Sequence, residues 1–170
     1  MIFFIPTLSV IILDQLSKGY ISTHFQIGQS VPLLGDFVRI TFIYNAGGVF
    51  GSNIGTPNFY TIVSIIAILV IGLIYFRTKE KQTAFKLSLG LVLGGAAGNL
   101  IDRFRFGQVA DFLDVDFFNI SIPSFKFLFF KSNGLHLDRW PIFNLADSAV
   151  TIGLVILIHH FSFQNKKSQP

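Results

Sequence analysis

Eight aspartates and a single glutamate, Glu80, supply all the carboxylates of this 170-residue chain. Four of them, Asp14, Asp102, Asp111 and Asp147, fall at or beside the end of an apolar segment. Holding a carboxylate in hydrocarbon costs about 2.5 kcal/mol or more, so such a residue marks a functional site by default. Two carboxylates held close share a proton, because both cannot ionise comfortably. Such a pair can activate water: one member takes a proton from it while the other hydrogen-bonds the group under attack.

Asp147 lies in Phe143-Asn-Leu-Ala-Asp-Ser-Ala149, with Asn144 and Thr151 three and four residues away on one helical face. That polar stripe is also what a helix start looks like, with Asn144 as N-cap and Asp147 in the first turn. The two roles are compatible. Asp111, in Gly107-Gln-Val-Ala-Asp-Phe-Leu-Asp114, does not stand out from Asp114 and Asp116, which read as solvated loop acids. Asp102 and Arg103 could form an ion pair or bind a lipid phosphate, and Asp102 is a catalytic rival. Spacing alone leaves the partner of Asp147 open.

The elements that position these residues read as membrane spans. The chain is 51% hydrophobic and 13% charged, with a mean hydropathy of +0.61. Globular domains carry roughly 25% charged residues. Ile2–Leu13, continuing past Asp14 to about Tyr20, lacks a basic leader and a small-residue cleavage site, so an uncleaved first helix is expected. Phe59–Phe76 is an uncharged run long enough to span. Leu87–Ile101 and Phe143–Phe161 complete a four-transmembrane-helix bundle in one membrane domain, 1–170. Within the third span, Gly90, Gly94 and Gly98 recur every four residues and allow close helix approach.

Six of the thirteen basic residues crowd between spans two and three and in the tail; the long connections, about 24–58 and 102–141, spread six more thinly. The positive-inside rule then puts both termini in the cytoplasm and both long loops outside, with the four aspartates at the outer level. Val38–Tyr44 mixes β-branched and aromatic residues, and short runs in Val109–Phe130 resemble it, so a small extracytoplasmic β-sheet is expected. Lys131–Arg139 reads as an exposed turn.

Other chemistries are disfavoured. The net charge of +4 forms no stripe suited to nucleic acid. No cysteine is present, which removes thiol chemistry. The histidines are scattered, so no metal is expected, and no G-x-S-x-G elbow supports a serine nucleophile. A proton-relaying transporter or a non-catalytic scaffold would also use intramembrane aspartates, but the charges here lie at one surface rather than at the midplane.

Five motifs in order complete the reading: Asp14-Gln-Leu-Ser-Lys18, Asn45-Ala-Gly-Gly-Val-Phe-Gly51, Gly94-Gly-Ala-Ala-Gly-Asn-Leu-Ile-Asp-Arg103, Val109-Ala-Asp-Phe-Leu-Asp114 and Phe143-Asn-Leu-Ala-Asp-Ser148. The series resembles lipoprotein signal peptidase (signal peptidase II). The resemblance implies an aspartyl endopeptidase that cuts diacylglyceryl-modified prolipoproteins just before the lipidated cysteine, in the bacterial cytoplasmic membrane. It implies no cofactor, membrane lipids as surroundings and a monomer. It places the catalytic pair on Asp111 and Asp147, with Asp14, Lys18, Asn45, Gly51, Asn99, Asp102, Arg103 and Asn144 supporting. The Phe-rich stretch 117–137 departs from the family by its length and bears on substrate access.

Overall fold

The computed structural model describes residues 1–47, 57–79, 82–117, 120–122, 125–127, 130–132, 135–137 and 139–167. It is mainly helical. Four helices, α1 (Phe4–His24), α2 (Pro57–Arg77), α3 (Thr83–Phe106) and α4 (Leu145–Lys167), accompany a three-stranded antiparallel sheet of β1 (Ser30–Leu34), β2 (Val38–Asn45) and β3 (Val109–Val115). Two small antiparallel pairs join β4 (Ile120–Ile122) to β7 (Leu135–Leu137) and β5 (Phe125–Phe127) to β6 (Phe130–Ser132).

Helices α2, α3 and α4 are long and apolar enough to cross a membrane. α1 has similar length, 21 residues, but Asp14, Gln15, Ser17 and Lys18 interrupt its apolar run. It nonetheless exposes Leu8, Ile12, Leu13 and Leu16 while burying Asp14 and Lys18, the reverse of a helix in water.

α3 is the central helix because its small residues admit neighbours on two sides. A Cβ on Gly94 would sit 2.8 Å from the Thr7 carbonyl oxygen, and one on Gly98 would sit 2.6 Å from Asp14 Oδ2, so this ridge holds α1. Gly95 faces the other way, where a Cβ would collide with the Ala146 backbone of α4. The glycine spacing thus brings α1 and α4 to the same end of α3.

Two apolar clusters pack the chain about 27 Å apart along α1, taking a 1.5 Å rise per residue. Phe3, Ile71, Phe85 and Leu89 close one end of the bundle. Ile21 meets Phe42, Ala110 and Phe112 at the other, where the sheet rests on α1. Gly107, at φ 71°, ends α3 in the left-handed conformation and turns the chain directly into β3.

Within the sheet, Ile43 pairs with Asp111 and Asn45 with Val109, so these four residues share a face; Phe42, Ala110 and Phe112 point the other way to the apolar cluster. A bulge in β2 between Ile40 and Ile43 accompanies the change of register beside Asp111. Beyond β3, the segment 140–143 lies alongside that strand, with Phe143 bridging Leu113. The amides of Phe112 and Leu113 donate to the Phe143 carbonyl, Phe143 donates back to Leu113, and Trp140 donates to Val115.

Two expectations need correction. Lys131–Arg139 is not simply a turn: it contains the end of β6 and all of β7, whose Leu135-His-Leu137 alternation pairs with Ile120–Ile122. Asp114 is not solvated. It is 6% exposed and accepts from Arg139 Nε and Thr41 Oγ1, each at 2.7 Å.

Candidate active site

Asp111 and Asp147 come together at the junction of β3 and α4, and Asn144 joins them. The wholly buried Asn144 side-chain amide donates to Asp111 Oδ1 at 2.6 Å, and its carbonyl oxygen accepts from the Asp147 backbone amide at 2.9 Å. The Asn144 backbone amide in turn donates to Asp147 Oδ2 at 3.2 Å. This reciprocal exchange is a capping box with an aspartate in the third helical position, so the cap of α4 also orients the Asp147 carboxylate.

Each carboxylate receives a second donor. Asn45 Nδ2 donates to Asp111 Oδ2 at 2.9 Å, across the β2–β3 pairing. Asn99 Nδ2 donates to Asp147 Oδ1 at 2.7 Å. The remaining Asn99 oxygen accepts from Asn144 Nδ2 at 3.1 Å and from Lys18 Nζ at 2.8 Å.

Lys18 anchors this network. Its ammonium has three donors, and three acceptors surround it: Asn99 Oδ1, Asp14 Oδ2 at 2.9 Å and Asp102 Oδ2 at 3.0 Å. Gln15 bridges the two aspartates, donating to Asp102 at 3.0 Å and Asp14 at 3.2 Å. Both acids also hold backbone in place. Asp14 accepts the Ala146 amide at 3.0 Å, satisfying one free donor of the α4 first turn. Asp102 accepts the Ala110 amide at 3.1 Å, fixing β3 one residue before Asp111. Asp102 is therefore engaged by Lys18, Gln15 and the β3 backbone.

A cavity of about 580 Å³ opens onto the pair. Asp111, Asp147, Asn45, Asn99 and Arg103 supply its polar wall, while Val63, Ala67, Ala96, Val150 and Ile152 from α2, α3 and α4 make it largely apolar. Arg103 Nη1 donates to Ser64 Oγ of α2 at 3.3 Å, so a cation lines the cavity within reach of the Asp147 and Asp111 charges and ties α2 to α3. Asp111 is 1% exposed. Burial, reinforced by the nearby negative charge of Asp147, pushes its carboxyl up to about 7, against the donations from Asn45 and Asn144.

Of the ten residues named from sequence, nine fall in this cluster or its supports; Gly51 lies outside the described residues. Phe117, the first residue of the Phe-rich stretch flagged from sequence, also lines the cavity, as do Ser64 and Trp140, which sequence reasoning does not reach. Only Trp140, the one tryptophan and three residues before the Phe143-Asn144 motif, carries a sequence signal. Among the described residues no group of three or more histidines, cysteines or acids could hold a metal.

Fold and site define a membrane protein with buried carboxylates facing an apolar cavity. Residues 7–163 match the family model of signal peptidase (SPase) II. A lipoprotein signal peptidase of Moorella thermoacetica is 37% identical over 155 residues, covering 91% of this chain and 89% of its own. One from Halalkalibacterium halodurans is 40% identical over 160 residues, covering 92% and 89%. A solved bacterial membrane enzyme superposes with a TM-score of 0.80 at 28% identity, over 97% of this chain and 90% of the other. The chain belongs to the signal peptidase II family, proteases that process lipoprotein precursors.

Proposed function

We propose that this protein is an aspartyl endopeptidase that removes the signal peptide from diacylglyceryl-modified bacterial prolipoproteins, with Asp111 and Asp147 as its catalytic pair. The observation that carries this reading is the single residue Asn144, which ties both carboxylates together at the wall of one apolar cavity. A pair so held keeps one proton at neutral pH. The ionised member takes a proton from water as the water oxygen bonds to the scissile carbonyl carbon. The protonated member hydrogen-bonds the carbonyl oxygen as that oxygen gains charge. The C–N bond then breaks as a dyad proton passes to the leaving amine of the lipidated cysteine. The new carboxyl stays with the signal peptide, and the pair returns to its one-proton state. Because the pair titrates as a unit, its protons belong to both residues.

Asn45, Asn99, Asn144 and Arg103 orient the dyad and substrate, while Asp14, Lys18 and Asp102 fix the backbone beneath them. Apolar cavity walls suit acyl chains, each buried methylene contributing about 0.8 kcal/mol. In this reading α1 is the fourth span, and the chain forms one domain and works as a monomer. Both termini lie in the cytoplasm, and the site lies near the outer face of the inner membrane. The exposed leucine and isoleucine face of α1 supports the fourth span.

The test is reconstitution of the protein in liposomes with a diacylglyceryl-modified prolipoprotein. A shortened product is expected on a gel from the wild type and none from Asp111→Asn or Asp147→Asn, both still inserted. Cleavage by either variant would remove this dyad; proton transport without cleavage would favour a relay.

A further inference from the structure

From the segment between Trp140 and Asn144, we infer that the protein holds its substrate peptide as an added strand, through the backbone N–H and C=O of Ile142. This rests on the peptidase reading and specifies how that site grips its substrate. Phe143 commits both of its backbone groups to β3, accepting from Leu113 at 2.7 Å and donating to Leu113 at 3.0 Å. Pro141 has no N–H to offer. Ile142 is half-buried, lines the cavity, and takes no hydrogen-bond partner for its N–H or C=O among the described residues.

Unpaired backbone groups on the wall of the cavity can pair with a ligand that enters it. An extended peptide supplies both missing groups at once, an N–H for the Ile142 carbonyl and a C=O for its amide, which is how sheet edges take up peptides. The location fits the chemistry. Asn144, two residues on, holds both Asp111 and Asp147. At about 3.3 Å per residue, a substrate residue paired with Ile142 lies within about two residues of the cleaved bond. Main-chain pairing reads conformation rather than side chains, so one site accepts precursors of many sequences. An amide that is extended near the cleaved bond is recognised; one still coiled in a helix has its N–H bonded internally and is passed over.

The experiment uses the full chain in liposomes and synthetic diacylglyceryl lipopeptides spanning the cleaved bond. Each peptide carries one N-methyl group on a successive backbone amide, the cleaved amide excepted. One position within two residues of the bond is expected to raise KM about tenfold, with its immediate neighbours affected less than twofold. Ile142→Pro, which deletes the enzyme's N–H, is expected to raise KM by a similar factor with kcat changed much less. Uniform insensitivity to N-methylation would overturn the strand, as would an unchanged KM in an Ile142→Pro variant of normal melting temperature. If that variant fails to fold, the N-methyl series decides alone. A wild-type protein that cleaves no unmodified lipopeptide would overturn the peptidase reading beneath it, a result distinct from either.

Discussion

Lys18 Nζ stands 2.8 Å from Asn99 Oδ1, and this contact decides the orientation of Asn99. An ammonium can only donate, so the amide must turn its oxygen to Lys18 and its nitrogen to Asp147. A residue of the first helix thereby sets which hydrogen-bonding group meets the Asp147 carboxylate on the last.

Asn99→Leu removes the donor to Asp147 and one acceptor from Lys18, at similar volume. A buried group left unpaired costs about 1–3 kcal/mol. If that loss falls on the transition state, kcat drops roughly 10- to 100-fold. Steady-state cleavage of a lipopeptide checks it, and an unchanged kcat would separate Asn99 from the dyad.

Lys18→Met leaves Asp14 and Asp102 without their shared cation. Removing one partner of a buried ion pair costs about 3–5 kcal/mol. Thermal unfolding in detergent is expected to show a large drop in midpoint. The triple change Asp14→Asn, Lys18→Met, Asp102→Asn should regain part of it, because no buried charge remains unpaired.

The alkaline limb of the pH profile follows from Asp111. Its carboxyl is pushed up to about 7, so the pair it forms with Asp147 gives up its shared proton as pH rises through that value. A dyad needing one proton keeps it in the acid range and loses it as pH rises through about 7, and kcat/KM falls with it. Asn45 donates to Asp111 and favours the ionised form. Asn45→Ala should therefore move the limb to higher pH. A shift to lower pH in a lipopeptide assay would contradict this sign.

Gly98→Ala puts a methyl 2.6 Å from Asp14 Oδ2. The helices must separate or Asp14 must turn, and overpacking of this kind costs about 1–3 kcal/mol. Both lower melting temperature and weaker activity are expected, since Asp14 also holds the Ala146 amide.

Because the chain has no cysteine, single cysteines report topology cleanly. Leu33→Cys on β1 and Lys79→Cys after α2 should react with an impermeant maleimide from opposite sides of the membrane. Labelling from one side alone would contradict the four-span arrangement.

The helices are legible in the sequence because a long uncharged apolar run fits little besides a buried or membrane helix, and α2 matches its run to within two residues at each end. β1 is not legible: Ser-Val-Pro-Leu-Leu carries a proline, tolerated only because β1 is an edge strand. Asp114 reads as a surface acid because its partner, Arg139, lies 25 residues away and no local pattern links them. The carboxylates are legible as costly groups, and the motif series chooses among them. The way Asn144, Asn99 and Lys18 join them is not, since it depends on side chains meeting across three helices.

The tie between Asp14 and the Ala146 amide spans 132 residues of sequence. A ribosome must therefore deliver nearly the whole polypeptide before the polar knot at the top of the bundle can be tied. Any shortened product lacking the last helix keeps Asp111 yet has no second acid to share a proton with it. On the proposed dyad, cleavage then waits for the last helix to join the bundle.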